Sequence, residues 1–144
     1  MITANKIFLD TSFAIALSFI TDRYHERAKE LTAEIKQMKS MFITTRSVII
    51  EILNALPKER YRKGAIRLID SMEADPNITI VPVTEDLYNK SLRFYKTRID
   101  KEWGITDCIS FVVMEKYGLT EALTADKHFH QAGFKALLLH GGEK

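Results

Sequence analysis

The stretch Trp103-Gly104-Ile105-Thr106-Asp107-Cys108-Ile109-Ser110-Phe111-Val112-Val113-Met114 decides how the rest of the chain is read. After Asp107 it is almost wholly apolar for the length of a helix, so the element must be buried on most of its circumference. Asp107 stands at its entrance, and a carboxylate in apolar surroundings requires a partner. Three other acids, Asp10, Glu51 and Asp126, lie in comparably apolar company. The expectation is that all four meet around a divalent cation.

Downstream of that helix, Gly118 fits a C-cap, residues 121–124 form a plausible strand, and Asp126 follows one residue later. A short turn or helix over 127–131 leads through Gly133 to a last strand around 135–139. Upstream, residues 85–96 carry Leu87, Leu92 and Phe94 among charges, as an amphipathic helix does, and 78–81 is a strand entered through Pro76-Asn77. From the other end, residues 6–9 form a short apolar strand closed by Asp10-Thr11-Ser12, which suit the start of a helix over 12–19. A second helix over 24–38 has Ala28, Leu31 and Ile35 on one face. Residues 41–44 give the next strand, and a helix over 46–56 ends at Pro57. It is apolar nearly all round, with Ser47, Glu51 and Asn54 as one narrow polar stripe, so Glu51 is expected to face something polar inside the protein. A basic amphipathic helix over 59–72 completes the series.

Strands alternating with helices specify an α/β fold with a mostly parallel sheet and helices on both faces. In such folds ligands bind beyond the carboxyl ends of the strands, where Asp10 and Asp126 lie. With 144 residues, 46% of them hydrophobic and 28% charged, the chain fits one domain over 1–144. The net charge of +2, from 21 basic against 19 acidic residues, permits nucleic-acid binding without requiring it. A single cysteine, Cys108, excludes an intrachain disulfide and suits a reducing cytoplasm. No signal peptide is expected, because the N-terminus lacks a basic region followed by a long apolar run and a small-residue cleavage site, and no membrane span is expected, because the apolar run over 13–20 is too short to cross a bilayer.

Carboxylates gathered within a few ångströms repel and raise one another's pKa unless a cation compensates them. Hard oxygen ligands of this kind suit Mg²⁺ or Mn²⁺, and such an ion activates water and stabilises charge on a phosphodiester under attack. Metal-assisted phosphodiester hydrolysis is the expected chemistry.

Phe8-Leu9-Asp10-Thr11-Ser12, Val48-Ile49-Ile50-Glu51, the 103–111 segment, and Thr124-Ala125-Asp126-Lys127-His128-Phe129 through Gln131-Ala132-Gly133-Phe134 occur here in an order and spacing that resemble a PIN-domain ribonuclease. Among these, the chain is most similar to the toxin component of VapBC-type toxin–antitoxin pairs. The resemblance implies a three-layer α/β/α sandwich, Mg²⁺- or Mn²⁺-dependent cleavage of RNA, homodimerisation and inhibition by a small antitoxin protein. By position, Asp10, Glu51, Asp107 and Asp126 match the family's acidic quartet, with Asp10 and Asp107 as principal metal ligands and Asp126 at its most variable place. Thr11 and Thr106 match accessory hydroxyl positions, and Gly104 stands where a serine is common.

Each residue also has a structural reading. Asp10 can serve as a helix cap, Asp107 as a first-turn partner of the helix dipole, and Asp126 as a turn residue. Glu51 can pair with Arg46 or Arg98. Asp100 suits a loop salt bridge, Trp103 core packing, and Cys108 a small buried apolar residue. His128 and His130 invite a metal reading, yet an i, i+2 pair shares no helix face and neither is expected to ligate. Two basic runs, Lys58, Arg60, Arg62, Lys63 and Arg67, then Lys90, Arg93, Lys96, Arg98 and Lys101, are solvated faces or phosphate contacts. A haloacid-dehalogenase-like phosphotransferase would need a second acid where Ser12 stands, and a receiver domain would need paired acids there too. The remaining alternatives are a PIN-like module acting only by binding, which retention of all four acids opposes, and an RNA-processing nuclease with no antitoxin.

Overall fold

Short apolar runs become strands, and the polar residues at their carboxyl ends open helices. The computed structural model describes Ile2 and residues 5–140, so the outer ends of the 1–144 span lie outside the described residues. Strand β1 (Lys6–Leu9) leads at Asp10 into α1 (Thr11–Ser18), and α2 (His25–Met38) returns the chain to β2 (Met41–Thr45). Thr45 caps α3 (Arg46–Ala55) by accepting the Val48 N–H at 3.1 Å, and α4 (Glu59–Ala74) follows. Then come β3 (Ile78–Val81), α5 (Glu85–Thr97) and α6 (Ile105–Lys116). The chain finishes with β4 (Glu121–Leu123), α7 (Lys127–Gln131), β5 (Lys135–Ala136) and α8 (Leu137–His140).

All pairings are parallel, in the order β3-β2-β1-β4-β5. Parallel crossovers are right-handed, so the steps from β1 to β3 carry α1 to α4 over one face. The reversed steps from β3 to β5 carry α5 to α7 over the other. Most helix contacts follow this division, with α1 on α2 and α3 on one side and α6 on α5 and α7 on the other, and α3 also meets α6. Three layers result, as expected. The direction of travel reverses between β1 and β4, which makes their carboxyl edge the switch point where sheets of this kind bind ligands.

Helix α6 is buried as its composition requires, with Cys108, Ile109, Ser110, Phe111, Val113 and Met114 all enclosed. Phe111 meets Trp103 and Phe129 edge-on, both at 5.0 Å between ring centroids, and Phe129 reaches Phe8 of β1 at 5.9 Å. These contacts brace α6 and α7 against the strand that ends at Asp10.

Two expectations are corrected here. The last strand stops at Ala136, and Leu137-Leu138-Leu139 turn into α8, because three leucines carry no strand alternation and favour helix once the edge pairing ends. Helix α3 is not buried all round: Val48, Ile49 and Ile52 face the core, while Ile50 is 52% and Leu53 41% exposed. Glu51 lies on the solvent side with them, not inside the protein.

Candidate metal centre

The register of β1 against β4 builds the first half of the site. Leu9 pairs with Leu123, and the Asp10 N–H donates to the Leu123 carbonyl at 3.2 Å, which sets Asp10 beside Thr124. Asp10 Oδ2 accepts the Thr124 hydroxyl at 2.8 Å and the Ser12 hydroxyl at 3.2 Å. The same hydroxyl oxygens accept N–H groups, Ser12 from Ala125 at 2.8 Å and Thr124 from Asp126 at 3.0 Å. Asp10 occupies the N-cap position of α1 yet makes no capping hydrogen bond, so the structural reading of this residue does not describe its side chain. Burial pushes its carboxyl up from 3.8 to about 6, the Thr124 hydroxyl pulls it back, and the negative charges of Glu51 and Asp126 push it further up.

The second half comes from the N-termini of α6 and α7. Asp107 Oδ2 accepts the Gly104 N–H at 3.1 Å, the reaching-back half of a capping box, while Gly104 has no side chain to return it. Asp126 caps α7 by accepting the His128 N–H at 2.8 Å. The His128 Nδ1 stands 3.0 Å from Asp107 Oδ2 and 3.4 Å from Asp126 Oδ1. Burial raises the Asp107 pKa above its ordinary value, opposed by the Gly104 amide, reinforced by Asp126 and opposed again by His128. A clamp fixes these pieces together: the Trp103 indole N–H donates to Gln131 Oε1 at 3.0 Å, joining the start of α6 to the end of α7.

Glu51 projects from α3 and accepts the hydroxyl of Thr11, so one of the two expected accessory hydroxyls meets an acid of the quartet. Thr106, half-buried in the first turn of α6, hydrogen-bonds none of the four acids among the described residues. The proposed arginine partners of Glu51 are engaged elsewhere, Arg46 with Glu73 at 2.8 Å and Arg98 with Asp100 at 3.1 Å. That second pair is the loop salt bridge expected for Asp100. Trp103 is core, and Cys108 is buried with its thiol pushed up to about 11 by burial and by Asp107, which leaves it protonated and inert.

One ligand atom each from Asp107, Asp126 and His128 lies within 4.8 Å of the others, a donor set that fits a divalent cation. Asp10 joins this group through charge: its carboxyl senses Asp126 and Glu51, as Asp107 senses Asp126. Sequence reasoning set His128 aside, and it passed over Ser12 and Thr124, the hydroxyls that hold Asp10. The helix-face test does not foresee that His128 lies beside Asp107 and Asp126, because its position is set by the Asp126 cap of a five-residue helix. The Ser12 and Thr124 roles were signalled only by their places two residues after Asp10 and two before Asp126. Among the described residues no helix is long and apolar enough to cross a membrane.

A family model described as the PIN domain matches residues 7–135. Two relatives, each a 23S rRNA-specific endonuclease VapC20, come from Mycobacterium tuberculosis strains CDC 1551 / Oshkosh and ATCC 25618 / H37Rv. Each is 29% identical over 128 residues, covering 89% of this chain and 95% of its own. A crystal structure of M. tuberculosis VapC20, a Sarcin-Ricin loop cleaving toxin, aligns with TM-score 0.78 and 28% identity, again over 89% of this chain and 95% of that one. From residues 7–135, the chain belongs to the PIN-domain family, and its homology is to VapC-type ribonuclease toxins.

Proposed function

We propose that this protein is an Mg²⁺- or Mn²⁺-dependent endoribonuclease whose metal ligands and catalytic groups are drawn from Asp10, Glu51, Asp107 and Asp126. It acts in the cytoplasm as the toxin of a type II toxin–antitoxin pair, with residues 1–144 forming one PIN domain. One observation carries the site: these carboxylates share an edge of the sheet, and among the described residues none is ion-paired to arginine or lysine. Such a set is unfavourable until protons or a cation relieve it.

A divalent ion, when bound, supplies a lowered pKa for water and neutralises charge on the phosphodiester. The chain's residues do the rest. Asp107, Asp126 and Asp10, the last fixed by two hydroxyls, would hold the ion. Glu51 is exposed, and with Oε1 taken by Thr11 its Oε2 is left to accept a proton from the attacking water.

The relatives named above act on 23S rRNA, and we assign this chain an RNA substrate on that basis. Of the two basic runs, the one on α4 is better suited to a phosphate backbone, because Lys90 and Arg98 of the other are ion-paired to Asp86 and Asp100. Ile50 and Leu53, which α3 leaves in solvent, are what a protein partner would cover, whether an antitoxin or the second copy in a homodimer. The test is cleavage of several purified RNAs with and without chelator, by the wild-type chain and by Asp10→Asn and Asp107→Asn. Cleavage that needs the ion and is lost in both folded variants supports the reading. Cleavage indifferent to chelator, or unchanged in the variants, sinks it.

A further inference from the structure

His128 brings a nitrogen to an edge otherwise lined by oxygen. Its backbone N–H is held by Asp126 Oδ1 at 2.8 Å, and that turn lays the imidazole across two carboxylates. Nδ1 carries at most one proton, yet it lies 3.0 Å from Asp107 Oδ2 and 3.4 Å from Asp126 Oδ1, two acceptors at once. Neighbouring ligands of an octahedral ion, each about 2.1 Å from its centre, stand about 3 Å apart. Both distances from Nδ1 are therefore close to the spacing of adjacent corners of one coordination sphere, and one ligand atom from each of the three residues lies within 4.8 Å of the others. Side-chain exposures of 22% for His128, 19% for Asp107 and 33% for Asp126 leave the group accessible from solvent.

We propose that His128 is a metal ligand in this protein, its Nδ1 joining Asp107 and Asp126 in a mixed nitrogen and oxygen site that favours a first-row transition ion such as Mn²⁺ over Mg²⁺. The inference rests on the metal-dependent reading given above and extends it to a residue outside the acidic quartet. Mg²⁺ prefers oxygen ligands and retained water, whereas imidazole is a borderline donor better matched to transition ions. Ligation through Nδ1 uses the tautomer with its proton on Nε2.

The test titrates Mn²⁺ into the full chain, with electron paramagnetic resonance reading the free ion and its pulsed form reading nitrogen nuclei bound to it. The expected result is an imidazole nitrogen coupling in the wild type that is absent from His128→Ala. Mn²⁺ affinity in that variant falls at least the roughly tenfold that loss of even a supporting group costs a metal site, and Mg²⁺ competes more effectively. If His128→Ala does not fold, His128→Asn carries the same readouts. Bound Mn²⁺ without nitrogen coupling, or a coupling that survives the substitution, overturns the His128 assignment and leaves a carboxylate-only metal nuclease standing. A free-ion signal that the wild-type chain does not diminish, together with chelator-insensitive cleavage, overturns the metal reading itself and this inference with it.

Discussion

Asp10 is 7% exposed and its carboxyl is pushed up from 3.8 to about 6, so in the metal-free protein the folded state holds its proton more tightly than the unfolded chain. Below about pH 4 both states are protonated and nothing is lost. As pH rises from there to about 6 the unfolded state ionises first and stability falls, by about 3 kcal/mol once both have ionised. Asp10→Asn removes that burden. In the presence of chelator it is expected to be more stable than the wild type by roughly 1–3 kcal/mol at pH 7.5, with the gap closing towards pH 4. Denaturant unfolding at both pH values checks this, and a variant weaker than the wild type throughout would assign Asp10 a structural role. Thr124→Val should do the reverse, since it strips Asp10 of a donor and leaves the Asp126 N–H without its acceptor. A loss of about 1–3 kcal/mol is expected, read from the same unfolding curves. At this scale the acids were legible, because each interrupts an apolar run. The hydroxyls and His128 were not, since their roles depend on which residue the register and one cap bring opposite them.

Helix α6 carries both its own stability and the position of Asp107, and its two ends make opposite predictions. At the C-terminus Gly118, at φ 67°, closes a Schellman turn in which its N–H reaches the Glu115 carbonyl at 3.2 Å and the Leu119 N–H reaches the Met114 carbonyl at 2.8 Å. Gly118→Ala forces a side chain into the left-handed region and should lower stability by about 1 kcal/mol. At the N-terminus Gly104 has ordinary extended angles, φ −79° and ψ 171°, and a Cβ there meets nothing within 4 Å. Gly104→Ser adds the hydroxyl that completes the cap with Asp107 and should raise stability by roughly 0.5–1 kcal/mol, with thermal unfolding as the measure for both. Gly118 was readable as a helix stop because only its backbone freedom matters there. The leucines at 137–139 and the outer face of α3 were not, because apolar composition alone cannot separate strand from helix at a sheet edge, nor core from a face left in solvent.

For the molecule as a whole, strand order explains why residues spread from position 10 to position 128 lie at one edge: the chain reverses direction between β1 and β4, and both halves deliver their carboxyl ends to that reversal. The alternation of strands and helices was legible, but the order β3-β2-β1-β4-β5 was not, since no local pattern states which strand lies beside which. Negative charge concentrated at this edge would make folding and ion binding interdependent. An ion that binds the folded chain and not the unfolded one stabilises it by about 2.7 kcal/mol at a hundredfold excess over Kd. For a chain of 144 residues that is roughly 8–10 °C in Tm. Mn²⁺ is therefore expected to raise Tm by this amount, chelator to reverse it, and Asp107→Asn to reduce the shift to a small fraction while leaving the metal-free Tm equal to the wild type's or higher. Because the ion relieves repulsion that Asp10 and Asp107 both suffer, the wild-type shift should grow from pH 5 to pH 7.5 as Asp10, pushed up to about 6, loses its proton. A shift that does not depend on pH, or one preserved in Asp107→Asn, would mean that the ion binds elsewhere on the surface and that the crowded edge between β1 and β4 is not its site.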